Sequence, residues 1–173
     1  MPGFSNGVLS ATNVDFRSVQ PVVGQVVADG QLLIGSTASP NIRVSTLTAG
    51  TGIEITNAAG SITISGMLWS TVGAGTPLLV NRGFICTSGA SLSFSLPAVS
   101  SVGDKVGIAL DGSTSWTISQ GAGQQIRLGN RQTTLGVGGS LSSTVQGDKV
   151  ELVCVTANQK WICLSSMGNI III

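Results

Sequence analysis

Gly52-Ile53-Glu54-Ile55-Thr56-Asn57-Ala58-Ala59-Gly60-Ser61-Ile62-Thr63-Ile64-Ser65 decides the class of this chain. Successive strand side chains point to opposite faces. Ile53 and Ile55 therefore share one face of a first strand, with Glu54 and Thr56 on the other, and Ile62 and Ile64 share one face of a second. Asn57-Ala58-Ala59-Gly60 reads as a four-residue connection in which Gly60 is free to take positive φ. Such a hairpin lets the four Ile stack across strands. Two strands alone are marginal in water, so these Ile need a further surface.

The same chemistry recurs outward from this hairpin. Val, Ile, Thr, Leu and Ser alternate between glycine-bearing turns, as in short strands. No stretch of a dozen residues combines a 3.6 period with helix formers, so the class is all-β. The 173 residues hold 24 Gly, and Gly, Ser and Thr together exceed a third of the chain. Charged residues are only 9%, against about 25% in an ordinary domain. Yet 42% are hydrophobic, far from the composition of a disordered chain. A monomer with so few charges would be poorly soluble, and burial of apolar side chains between identical subunits resolves that. Oligomerisation is the first inference.

Toward the N-terminus, residues 1–30 read as an extended arm, interrupted by Pro21, with a strand over Val22–Val27 placed against a neighbour. Asp29-Gly30 is a turn leading into a strand over Gln31–Gly35; Ser36–Pro40 is a loop and Ile42–Thr48 a strand. Residues 31–65 thus form a β-hairpin assembly region, and residues 66–173 a compact C-terminal β-domain. That domain contains a repeat. Gly103-Asp104-Lys105-Val106, a strand, a turn at Asp111-Gly112-Ser113 and Trp116 correspond to Gly147-Asp148-Lys149-Val150, a strand, a turn at Ala157-Asn158-Gln159 and Trp161. A repeated hairpin explains this without any ligand. Gly121–Gly139 is an irregular passage between the copies, and Ile170–Ile173 must pair into a sheet or enter a subunit interface.

Chemistry is sparse. With no His, a His base, ligand or pH switch is gone. Ser nucleophiles would have only lysines as bases, and none lies near a G-x-S-x-G elbow. Gly121-Ala122-Gly123 and Gly136-Val137-Gly138-Gly139 lack the G-K-[S/T] ending of a phosphate loop. No D-x-D pattern offers a metal site, so no catalytic, metal or cofactor residues are assigned and no cofactor is expected. Asp104 and Asp148 could pose as paired carboxylates, but Gly-Asp more simply starts a turn in which Asp bonds its own backbone. Cys86, Cys154 and Cys163 are odd in number and read as free thiols. A net charge of +1 leaves no footprint for nucleic acid. No apolar run approaches the roughly 18 residues of a membrane span, and no signal peptide is visible.

Binding residues are better represented. Trp69, Trp116 and Trp161 could be sugar-stacking platforms, although Trp116 and Trp161 read first as matched core residues of the repeat. Gln124, Gln125, Arg127, Asn130 and Arg131 form the most polar passage of the C-terminal domain. They are candidates for contact with a receptor or a neighbouring protein, or else they solvate the end of a sheet.

Two segments carry a family likeness. Asp29-Gly30-Gln31-Leu32-Leu33-Ile34-Gly35, Asn41-Ile42-Arg43-Val44 and Leu47-Thr48-Ala49-Gly50-Thr51-Gly52-Ile53 through Ile64 resemble a segment of tailed-phage and prophage tail-fibre or spike proteins. Trp116–Ile126, Gly136–Leu141 and Val150–Val155 resemble a β-module of such virion proteins, capsid decoration and head-fibre proteins included. The resemblance implies a non-enzymatic, homotrimeric β-appendage on the surface of a phage particle, made in the host cytoplasm. Its C-terminal domain would be β-sandwich, jelly-roll-like or β-prism-like and serve host attachment. Its partners would be itself, other virion proteins through the N-terminal arm, and a host-surface glycan, with no nucleic acid and no membrane insertion. The chain departs from the long-fibre pattern in having no heptad coiled coil and no long repeat array. A capsid decoration (cement) or head-fibre trimer stabilising the shell is therefore the main alternative. A carbohydrate-binding module and a glycan-cleaving spike follow. On this reading Ile53, Ile55, Ile62 and Ile64 face the threefold axis, and Ile170, Ile171, Ile172 and Ile173 join the subunit interface.

Overall fold

The computed structural model describes residues 28–35, 37, 42–112 and 114–173. The arm up to residue 27, with its expected strand over Val22–Val27, lies outside the described residues, as do Ser113 and all of the expected Ser36–Pro40 loop except Thr37. The described chain is all-β, with fifteen strands and no helix.

The first four strands make two antiparallel hairpins, each its own sheet. β1 (Gln31–Gly35) pairs with β2 (Ile42–Thr46), Gln31 opposite Thr46. β3 (Glu54–Ala58) pairs with β4 (Ser61–Ser65), Ile55 opposite Ile64 and Asn57 opposite Ile62. Alternation then sets Ile53, Ile55, Ile62 and Ile64 on one face, as the sequence predicts. The connection is tighter than expected. The ladder closes at Ala58 opposite Ser61, leaving Ala59 and Gly60 as a two-residue turn with Gly60 at φ +70°.

The remaining strands are β5 (Leu68–Val72), β6 (Arg82–Cys86), β7 (Leu92–Ser95), β8 (Lys105–Leu110), β9 (Trp116–Ser119) and β10 (Gln125–Leu128). After them come β11 (Arg131–Gln132), β12 (Ser140–Ser142), β13 (Lys149–Thr156), β14 (Lys160–Met167) and β15 (Ile171–Ile172). One sheet has seven strands in the order β11-β10-β14-β13-β8-β6-β5, and the other has four in the order β15-β12-β9-β7. From β6 to β9 the chain alternates between the sheets. β8 lies parallel to β6, with Ile108 beside Phe84, and β9 lies parallel to β7, with Ile118 beside Phe94. Both pairings join residues 24 apart, so this part of the chain makes two successive turns of a parallel coil. The coil then reverses: β12 runs antiparallel to β9, and β13 antiparallel to β8.

Side chains of both sheets meet in a single core. Phe84, Ile108, Leu152 and Trp161 come from the larger sheet, and Phe94, Trp116, Ile118 and Leu141 from the smaller. Each such burial is worth about 1.5–3 kcal/mol relative to exposure. The Phe84 and Phe94 rings meet across the core with centroids 6.0 Å apart, within the range of favourable aromatic pairs. Cys86 and Cys154 are free thiols in this core, and Cys163 is half-buried. Burial raises the Cys86 thiol to about 11 and is the main cause of the rise at Cys163.

The repeat has a different geometry from the expected pair of hairpins. β13 and β14 do form an antiparallel hairpin, but β8 and β9 lie in different sheets, joined by a crossing rather than a hairpin turn. The Asp111 amide bonds the Cys86 carbonyl and so extends the parallel ladder through the expected turn. What the repeat encodes is a local two-fold. β8 and β13 pair antiparallel, Val106 opposite Leu152 and Ile108 opposite Val150. At one end Gly103 N bonds Cys154 O at 2.9 Å and Cys154 N bonds Asp104 O at 2.8 Å. At the other, Gly147 N bonds Leu110 O and Leu110 N bonds Asp148 O, both at 2.9 Å. The 44-residue shift that carries Asp104 onto Asp148 also carries Leu110 onto Cys154. The two Gly-Asp turns therefore close opposite ends of one ladder.

Candidate functional site

The two Gly-Asp turns are built alike. Gly103 and Gly147 take positive φ, at 93° and 89°, and the next residue turns its carboxylate back onto the loop. Asp104 Oδ2 accepts from Ser101 N at 2.7 Å, and its Oδ1 accepts from Asn81 Nδ2 at 2.9 Å. Asp148 Oδ2 accepts from Thr144 N at 2.6 Å and Val145 N at 3.0 Å, and its Oδ1 from Asn169 N at 3.1 Å. Burial alone would raise the Asp148 carboxyl. The backbone bonds from Thr144, Val145 and Asn169, with the Thr144 hydroxyl, outweigh it and hold the group below its usual value. Standing at opposite ends of the β8–β13 ladder, the two carboxylates share no groove.

The hairpin Ile lie apart from the main core. Ile53 is 43% and Ile64 60% exposed, while Ile55 and Ile62 are half-buried. Ile53 and Ile55 line an open cleft with Val80 and Arg82 of the body. From the opposite face of β3, Glu54 reaches Arg82 at 2.7 Å, the one ion pair among the described residues. The C-terminal Ile are divided. Ile171 and Ile172 pair with β12, and Ile170 and Ile172 pack against the chain's own core, whereas Ile171 and Ile173 are exposed. The Ile173 backbone is bonded to Ser140 and Thr134.

The polar passage separates into a scaffold and a tip. Gln124 is buried: its Oε1 accepts from Gly121 N, and its Nε2 donates to Pro97 O at 2.8 Å. Gln125 donates to Thr133 O. Buried Gln120 donates to the carbonyls of Gln124, Thr134 and Gly136 and accepts from the Thr133 hydroxyl. These amides replace backbone partners that an irregular segment lacks. Arg127, Asn130 and Arg131 are exposed on and around the β10–β11 hairpin at the edge of the larger sheet, where Arg127 Nε donates to Gly129 O. The structure thus brings Arg127, Asn130 and Arg131 together at one edge, buries Gln124 and ties the half-buried Gln125 to Thr133.

The tryptophans divide two to one. Trp116 and Trp161 are fully buried, as the repeat predicts for core residues, and offer no ring face to a ligand. Trp69, on edge strand β5, is 46% exposed and lies over Gly83 and Gly107 on the outer face of the larger sheet. Sequence reasoning gave these two glycines no role. The usable signal was their spacing, 24 residues apart, each followed by a large apolar residue. Among the described residues no three Cys, Asp or Glu side chains gather where they could hold a metal ion. No protein-family model and no curated protein matches the chain.

Proposed function

We propose that this chain is a non-enzymatic structural protein of a phage virion. In this reading it is a homotrimeric surface appendage of tail-fibre or spike type, whose sandwich-like C-terminal domain serves attachment. The observation that carries the reading is the hairpin β3–β4. It presents a face of four Ile, two of them more than 40% exposed, and Glu54–Arg82 is its ion pair to the body. An apolar face on so small a unit is stable only against another surface, and identical subunits around a threefold axis supply one. The 9% charge content and the likeness of residues 29–64 to tail-fibre segments support the same reading. The N-terminal arm then joins other virion proteins.

A capsid decoration or head-fibre trimer is the second reading. It is favoured by the form of residues 31–65, whose described strands are two short hairpins rather than a shaft. Both readings share the trimer. Light scattering coupled to size exclusion on the whole chain tests it: a mass near three times 17.4 kDa is expected. A stable monomer would overturn the assembly on which both readings depend.

A further inference from the structure

On the outer face of the seven-stranded sheet an exposed tryptophan lies over two glycines. Trp69 opposes Gly83, Gly83 opposes Gly107, and Gly107 opposes Glu151, so these four residues form one row across β5, β6, β8 and β13. The indole lies across the first three positions. A Cβ at Gly83 would collide with the ring at Cδ2, and one at Gly107 would stand 2.7 Å from both Cη2 and the Met67 Cε methyl. Both glycines are buried, while Trp69 remains about half exposed. Glycine inside a strand costs about 0.5–1 kcal/mol relative to Ala, and a strand-interior glycine often marks a close approach of another group. Here two are placed so that a tryptophan can lie low on the sheet and still remain about half exposed. Charged groups share this face of the sheet. Alternation with the buried Val106, Val150 and Leu152 points Lys105, Lys149 and Glu151 to this same outer face. Lys149 stands two residues before Glu151, and Lys105 lies diagonally across from it.

We propose that this surface binds a pyranose ring of a bacterial surface polysaccharide. The sugar's apolar face stacks on Trp69, and Glu151, Lys105 and Lys149 hydrogen-bond its hydroxyls. A flat aromatic face with a few convergent polar groups matches a ligand that is apolar on one side and polar at its rim. A second copy of this chain fits less well, because two lysines and a glutamate in the middle of the face would be desolvated, and charged residues are depleted from interface cores. The source of the sugar rests on the attachment reading above; the stacking does not.

Because Trp116 and Trp161 are buried, iodide quenching of the whole native protein reports on Trp69. The test is a microarray of bacterial surface polysaccharides, followed by fluorescence titration with any glycan retained. The expected result is a bound glycan that shields the emission from iodide. Trp69→Ala should weaken that binding about tenfold or more, and Glu151→Gln should weaken it without changing the melting temperature. If Trp69→Ala loosens the sheet edge, Glu151→Gln and Trp69→Phe keep the question open to measurement. Three outcomes would overturn the proposal: no glycan retained, a glycan bound equally by Trp69→Ala and Glu151→Gln, or a Trp69 already inaccessible to iodide in the native assembly. None of them alters the mass that tests the trimer, so the two proposals fail separately.

Discussion

The ladders β3–β4 and β8–β13 are both antiparallel and both set large apolar side chains at alternate positions, yet they keep those side chains in opposite conditions. Across β8 and β13, Val106, Ile108, Val150 and Leu152 are all 2% exposed or less, while across β3 and β4 Ile64 is 60% exposed. The difference is the second layer. β8 and β13 sit in a sheet whose inner face meets another sheet of the same chain, whereas β3 and β4 form a sheet of two strands. Local pattern decides that a strand pairs; topology decides whether its apolar face is covered from within. Residues 66–173 complete their core within one chain, and the hairpin does not.

Ile55→Asp should break this comparison most sharply. It places a charge on the hairpin's apolar face, so the account expects complete loss of the trimer by light scattering and little change in the melting of the body. A trimer that survives would assign the interface elsewhere. Trp116→Ala should do the reverse, costing about 3–5 kcal/mol in urea unfolding because it empties a fully buried site.

Asp148→Asn should cost about 2 kcal/mol at neutral pH, since the turn amides lose a charged acceptor. The folded carboxyl lies below its unfolded value. Its contribution is therefore fully present above the ordinary carboxylate range, about pH 4, and is lost as pH falls through the folded value. The gap between wild type and Asp148→Asn, read from urea midpoints, should close in acid.

A smaller effect compares the two halves of the repeat. Trp116 Nε1 reaches Asp148 O at 3.4 Å, whereas Trp161 Nε1 is buried without a partner among the described residues. An unpaired buried donor carries a desolvation penalty, so Trp161→Phe should be less destabilising than Trp116→Phe by about 1 kcal/mol in the same unfolding assay. Arg82→Ala should be smallest. The Arg82–Glu54 pair is about a third exposed, and such pairs are worth about 0.5 kcal/mol, so the body's melting should hardly move.

Much of this was legible in the sequence. The all-β class, the β3–β4 hairpin with Ile on one face, Gly60 in its turn and the core positions of Trp116 and Trp161 follow from alternation and turn chemistry. The repeat was legible as a repeat but not as a two-fold, because Gly-Asp followed by an apolar run is compatible with a hairpin and with a crossing to another sheet. The parallel coil was hidden for a related reason. Gly83-Phe84-Ile85-Cys86 and Gly107-Ile108-Ala109-Leu110 share little beyond a glycine and inward apolar positions, and parallel partners are set by the path of the chain between them. Gln120 and Gln124 were unreadable as interior residues, since glutamine is mostly exposed and only the missing backbone partners of the Gly121–Gly139 passage call it inside. Trp69 was visible as a tryptophan, but its seat depends on two glycines brought beside it by the coil.

The measurement that tests the account most directly is hydrogen exchange of the whole chain at decreasing protein concentration. The account predicts that amides of β8 and β13 stay protected throughout, while those of β3 and β4 lose protection as the subunits separate. Equal protection of β3 and β4 in a demonstrably monomeric chain would contradict it.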